Sequence, residues 1–100
     1  MALTIKWSDE AKEKFEENII YLQNEWSDGE IRNFIKHTSH IISRIEKYPE
    51  IFTPSKKKKL IRKAKVNKHI DLYFRHDPDK KEVILLSFWH NKQDSSKLKY

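Results

Sequence analysis

Two arginines, a tyrosine and a histidine in the second half of this chain carry most of the chemistry that its residue types allow. Arg62 and Arg75 each present a planar guanidinium able to grip a phosphate through two parallel hydrogen bonds. His90, with a reference pKa of about 6.5, can give or take a proton near neutrality. Tyr73 stands two residues before Arg75 and offers a phenol, and Tyr100 offers another. Cationic charge surrounds them: the run Lys56-Lys57-Lys58-Lys59, then Lys63 and Lys65, then Lys92 beside Gln93. Such a set suits a polyanion held through counterion release, or an acidic protein segment. Plainer roles compete with these. The arginines can pair with Asp71, Asp77, Asp79 or Asp94, His90 can bond to a loop at a strand end, Tyr73 can simply pack, and the lysine run can be a solvated loop.

Other chemistries are poorly provided. The chain has one glycine, so no glycine-rich phosphate loop exists, and no cysteine, so neither disulfides nor thiolate metal sites are available. His37 and His40 lie three apart on a helix without a matching carboxylate pattern and are expected to face solvent. His69 and His76 fall near turns and suggest nothing specific. No Ser-His-Asp arrangement stands out. Neither a metal nor a cofactor is expected.

The charge is divided unevenly. Residues 1–50 hold 7 Lys and Arg against 10 Asp and Glu, whereas residues 51–100 hold 14 against 5, giving a formal net charge of +6 for 100 residues. The second half is therefore the side that meets an anionic partner. The first residues are too short and too polar for a signal peptide, and no window reaches the roughly 20 apolar residues that cross a bilayer. A single cytoplasmic domain over residues 1–100 with no membrane partner is the expectation.

The elements that must position these groups can be read from periodicity. Val83–Trp89 contains six apolar residues in seven, bounded by a Pro-Asp turn and the polar stretch His90–Asp94, and reads as a central strand buried on both faces. Leu3–Trp7 alternates as an edge strand, and Ser8 caps a helix with Asp9 and Glu10 in its first turn. Ala11, Phe15, Ile19, Leu22 and Trp26 form one apolar stripe. Ser27 and Glu30 have capping-box spacing, with Gly29 in the interhelical turn. A second helix carries Ile31, Phe34, Ile35, Thr38, Ile41, Ile42 and Ile45 and stops near Tyr48, before Pro49. Ile51 and Phe52 read as core plugs in a connection.

Next comes a strand from Leu60 to Val66, with Arg62 and Ala64 on one face and Ile61, Lys63 and Lys65 on the other. Asn67-Lys68 is a two-residue turn in which Asn tolerates positive φ. The return strand has Ile70, Leu72 and Phe74 inward, with Asp71, Tyr73 and Arg75 opposite. Asp77–Lys80 is a type I turn. The result is an α+β two-layer sandwich of order β-α-α-β-β-β: a mainly antiparallel four-stranded sheet, covered on one face by an antiparallel helix pair.

This arrangement resembles the RelE/ParE superfamily, the toxin halves of bacterial type II toxin–antitoxin systems. The resemblance rests on the strand leading into Ser8-Asp9-Glu10-Ala11, the Tyr48-Pro49 exit, Arg62, Tyr73-x-Arg75 and the tail Phe88–Asp94. That tail looks like the family's strand-end His-x-x-Gln-Asp signature, continued here by Ser95-Ser96-Lys97-Leu98 where a proline often follows. The resemblance implies a growth-inhibiting toxin neutralised by a cognate antitoxin, with a free oligomeric state left open. One branch, RelE-like, cleaves messenger RNA on the ribosome; the other, ParE-like, inhibits DNA gyrase. Metal-free RNA cleavage by the 2′-hydroxyl needs a base, an acid and cations. Here His90, Arg75, Arg62 and Tyr73 would be the catalytic group. Lys56, Lys57, Lys58, Lys59, Lys63, Lys65, Lys92 and Gln93 would hold nucleic acid or a protein partner. That nuclease set does not map completely onto the family pattern, which favours gyrase slightly. A basic nucleic-acid-binding module without toxicity is the third reading.

Overall fold

The apolar run near the carboxyl end lies inside the sheet, next to its middle strand. A computed structural model describes residues 3–25, 27–58, 60–93 and 95–100; Trp26, Lys59, Asp94 and the Leu22 side chain, which figure in the sequence reading, lie outside the described part. In chain order the elements are β1 (Thr4–Trp7), α1 (Asp9–Glu25), α2 (Asp28–Lys47), β2 (Thr53–Pro54), β3 (Ile61–Lys65), β4 (Ile70–Asp77) and β5 (Glu82–His90). Single 3-10 turns lie at Pro49–Ile51 and Ser95–Lys97. The sheet order is β1-β5-β4-β3-β2, with β1 parallel to β5 and every other pairing antiparallel. The α+β class and the helix pair on one face are as expected. The sheet has five strands rather than four, because Thr53 and Pro54 pair with Lys63 and Arg62 instead of forming a free connection.

β5 departs from the expected double-sided burial in an informative way. Its partners on β4 step from Leu85 opposite Phe74 to Ser87 opposite Tyr73, leaving Leu86 as the extra residue of a bulge. A bulge reverses which face the following side chains take. Val83 and Leu85 point to the helices, and so does Phe88, while Ser87 points away. The strand is thus fully buried toward the helices and partly buried away from them, where Ser87 is covered and Ile84 and Trp89 are half-buried. Phe88 lands among Trp7, Phe15 and Phe34, with ring centroids 5.6, 5.3 and 6.4 Å away.

Helix α1 begins as expected, the Ala11 N–H donating to Ser8 Oγ at 3.0 Å. The Ser8 hydroxyl also donates to the Leu86 carbonyl at 3.0 Å and fastens the helix to the bulge. Four expectations are corrected. Ser27 makes no side-chain cap, and Gly29 lies inside α2 without positive φ. Ile35 and Ile51 are exposed, so of the two proposed plugs only Phe52 reaches the core, edge-on to Phe74 at 5.7 Å. At the β3–β4 turn Asn67 acts through its side chain, Oδ1 accepting from the His69 and Ile70 N–H groups at 2.8 and 2.9 Å. The only non-glycine residue with positive φ among those described is Lys81, at 55°, just after the Pro78 turn.

Candidate functional site

The pairing of β3 with β4 decides which cations share a surface. Directly paired residues of neighbouring strands point to the same side, and side chains alternate along each strand. Arg62 pairs with Phe74, an inward residue, whereas Arg75 pairs with Ile61, so the two arginines lie on opposite faces. His90 pairs with Ile70 at the other end of β4, on the helix side. Tyr73 pairs with Lys63 and Ser87 on the face away from the helices. Of the four residues that sequence reading placed in one catalytic group, the structure keeps Tyr73 and Arg75 on one face and sets Arg62 and His90 on the other.

Arg62 is used by the fold. Its Nη1 donates to the Phe52 carbonyl at 2.7 Å and to that of Glu50 at 3.4 Å, pinning β2 and the preceding turn to the sheet edge. Removing a guanidinium that satisfies main-chain acceptors costs about 1–2 kcal/mol. Arg62→Ala is expected to lower the urea midpoint accordingly and to increase amide exchange around Phe52, with Arg62→Lys recovering part of the loss. An unchanged midpoint would remove this structural role.

His90 sits against α1 in a cleft of about 240 Å3 with Lys14, Asn18, Tyr21, Phe88 and Gln93. The Tyr21 ring meets it edge-on at 5.5 Å, and His69 stacks on it at 5.8 Å with planes 7° apart. Its Nδ1 accepts the Lys92 N–H at 3.3 Å, which leaves the proton of the neutral ring on Nε2. Burial, and then the neighbouring His69 and Lys92, push its pKa below the ordinary value. A ring whose one lone pair is occupied and whose other nitrogen carries hydrogen is a poor proton acceptor, and a lowered pKa makes it a scarce donor at neutrality. The folded chain binds fewer protons here than the unfolded chain, so this contribution to stability is complete above about pH 6.5 and is lost as pH falls through the lowered folded value. His90→Gln is expected to flatten the dependence of the urea midpoint on pH below about 6.5. An unaltered slope would contradict it.

The face of the sheet away from the helices holds a different cluster. Tyr73 is buried beneath Tyr100, the two rings stacked at 5.9 Å and 29°. Residues 98–100 are tied across this face. Ser55 Oγ donates to the Tyr100 main-chain oxygen at 2.6 Å, Lys57 Nζ donates to the Leu98 carbonyl, and Lys58 Nζ lies 5.8 Å from the Tyr100 ring centre. Glu10 clasps the same segment, accepting from Lys99 at 3.0 Å and Tyr100 Oη at 3.3 Å. Burial pushes the Glu10 pKa up, but hydrogen bonds from Lys99, Ser87 and Tyr100, with the Lys99 charge, bring it below the ordinary value. Burial raises both phenols, helped by Asp71 beside Tyr73 and by Glu10 beside Tyr100. A cleft of about 410 Å3 runs along the segment, lined by Glu10, Glu13, Ser87, Trp89, Leu98 and Tyr100.

Lys63, Lys65 and Arg75 project from this face, and Lys56, Lys57 and Lys58 stand on the adjoining loop. Lys92 and Gln93 belong instead to the His90 cleft. Sequence reading missed Asp71, Glu10 and Ser87 as members of the cluster. Alternation on β4 did place Asp71 outward beside Tyr73, but nothing in the sequence signals a partnership spanning residues 10 and 99. Asp71 is 7 % exposed and its Oδ1 has no hydrogen-bond partner among the described residues.

A small sheet with a helix pair on one face is a fold that solved bacterial toxins share. The structure is similar to the toxin–antitoxin complex RelBE2 from Mycobacterium tuberculosis, at 12% identity over 90% of this chain and 99% of that one, with a TM-score of 0.63. It is similar to the YoeB dimer from Staphylococcus aureus, at 16% identity over 85% and 92%, TM-score 0.58. It is similar also to a metal-bound toxin from Helicobacter pylori, at 12% identity over 90% and 96%, TM-score 0.58. At these identities the likeness concerns the fold. No curated protein matches by sequence. The family model for the ParE toxin of type II toxin–antitoxin systems, parDE, matches residues 5–95, and the chain belongs to that family.

Proposed function

We propose that this toxin arrests growth by inhibiting DNA gyrase, and that a cognate antitoxin, made alongside it, holds it inactive. The observation that carries the choice of target is the strand register. It places Arg62 and Arg75 on opposite faces and leaves His90 at the far end with its Nδ1 engaged, so the expected nuclease group has no common substrate position. Membership of the ParE family supports the same reading.

A second reading, a ribosome-dependent messenger RNA endoribonuclease, draws on Lys63, Lys65 and Arg75 lying on one face with Tyr73 and Tyr100. Cations to neutralise a phosphorane are present there. The proton acceptor is the weak point, since burial keeps both phenols protonated and a tyrosine base must ionise.

Induction in a host lacking the antitoxin separates these. Growth arrest with a DNA-damage response, and intact messages by primer extension, is the expected result. Codon-phased cuts in messenger RNA would establish the nuclease reading, and normal growth would sink both.

A further inference from the structure

We infer that an aliphatic strip near the β4–β5 turn, on the sheet face away from the helices, docks an acidic, leucine-bearing segment of a partner protein. The inference rests on the antitoxin reading above and says where such a partner takes hold. The first observation is the strip itself. Arg75 pairs with Ile61 on one side and with Ile84 on the other, so the three stand side by side on this face. Ile84 is half-buried, and Leu60 extends the strip past β3. Leu60 is 71 % exposed, the highest value among the described large apolar residues. Single aliphatic side chains on a surface are ordinary. Here they adjoin a cleft of about 370 Å3, lined by Lys58, Leu60, Ile61 and Arg75.

The second observation is the charge around the strip. Lys58, Lys63 and Arg75 are exposed and enter no ion pair among the described residues. The nearby carboxylates are engaged: Glu82 meets Lys6 at 2.6 Å, and Asp77 Oδ1 accepts the Lys80 N–H at 3.3 Å. Helix α1, in the other layer, carries six acidic residues against two basic ones and repels an acidic partner. Charge thus selects an anionic occupant, and the strip selects among anionic occupants. Phosphates gain nothing from Leu60, and unpaired bases stack on aromatic rings, which the lining of this cleft lacks. Trp89 and Tyr100, the rings that could take a base, line a different cleft beside the strap. A leucine of a polypeptide matches the aliphatic walls. Carboxylates flanking it can reach Lys58 and engage the Arg75 guanidinium through two hydrogen bonds.

Fluorescence anisotropy of a labelled glutamate-rich peptide with interspersed leucines, titrated with the whole chain, tests the docking. Polyglutamate of equal length, a single-stranded oligonucleotide and a duplex are the comparison probes. The leucine-bearing peptide is expected to bind about 10-fold more tightly than polyglutamate, the factor that burying one leucine supplies. Leu60→Ser should erase that advantage. Arg75→Ala should weaken binding by about 10-fold and reduce its dependence on salt, with Arg75→Lys restoring the salt dependence and only part of the affinity. Ile20→Ser removes an aliphatic side chain that is 57 % exposed on α1 and should change nothing. Leu60 and Arg75 are exposed, so these variants should stay folded, which circular dichroism checks. Equal affinity for polyglutamate, tighter binding of either oligonucleotide, or unaltered peptide binding by a folded Leu60→Ser variant would each overturn the inference. Growth plays no part in this measurement. Normal growth on induction with docking intact would refute the toxin reading and leave the docking surface standing, whereas lost docking with growth arrest intact would do the reverse.

Discussion

Phe88→Ala is expected to cost about 3–5 kcal/mol, the usual penalty for emptying a buried phenylalanine site. The residue is 1 % exposed and its ring is shared by three elements, touching Trp7 of β1, Phe15 of α1 and Phe34 of α2. No small shift of one element closes such a cavity, because the other two remain held by their own contacts. Domains of this size have total stabilities of about 5–15 kcal/mol, so the variant should be close to unfolding at physiological temperature. Phe88→Leu, which keeps most of the volume, should lose far less. Urea denaturation followed by tryptophan fluorescence measures both. A loss below about 1 kcal/mol for the alanine variant would mean that Phe88 is not where the layers meet.

Asp71→Val should act in the opposite direction. Asp71 is buried between Lys65 of β3 and Trp89 of β5, and its Oδ1 lacks a partner among the described residues. An unsatisfied buried oxygen costs about 1–3 kcal/mol, and a β-branched side chain suits a strand interior. The substitution is therefore expected to raise stability by about 1–2 kcal/mol. A second readout belongs to Tyr73, whose pKa is raised first by burial and then by the Asp71 charge. A raised phenol favours the folded state below its ordinary value of about 10 and loses that contribution as pH climbs through the folded value. Without the carboxylate, Tyr73 should ionise at lower pH in an ultraviolet titration. A destabilised variant, or an unmoved Tyr73 titration, would contradict this account. A stabilised protein that no longer arrests growth would mark Asp71 as retained for function at the expense of stability.

How far the sequence reached is visible in these two positions. The alternation of Ile70, Leu72 and Phe74 against Asp71, Tyr73 and Arg75 was legible because the strand period of two is strict, and both central strands were found from composition alone. The bulge at Leu86 was not legible. A run of apolar residues looks the same whether it is buried on both faces or changes phase midway, and only pairing with Tyr73 and Phe74 distinguishes them. Register likewise hid the separation of Arg62 from Arg75. Each strand's own alternation was read correctly, yet which faces coincide depends on Arg62 lying opposite Phe74. Glu10 was read as a carboxylate favoured at a helix start, and its grip on Lys99 and Tyr100 joins residues too distant in the chain for periodicity to connect.

The target is the central claim, and purified DNA gyrase tests it most directly. Supercoiling of a relaxed plasmid should be blocked by the toxin, with cleaved plasmid accumulating after denaturation in the presence of ATP, and preincubation with the antitoxin should restore supercoiling. Undiminished supercoiling at a large molar excess of toxin, together with cutting of messenger RNA on purified ribosomes by the same preparation, would contradict it.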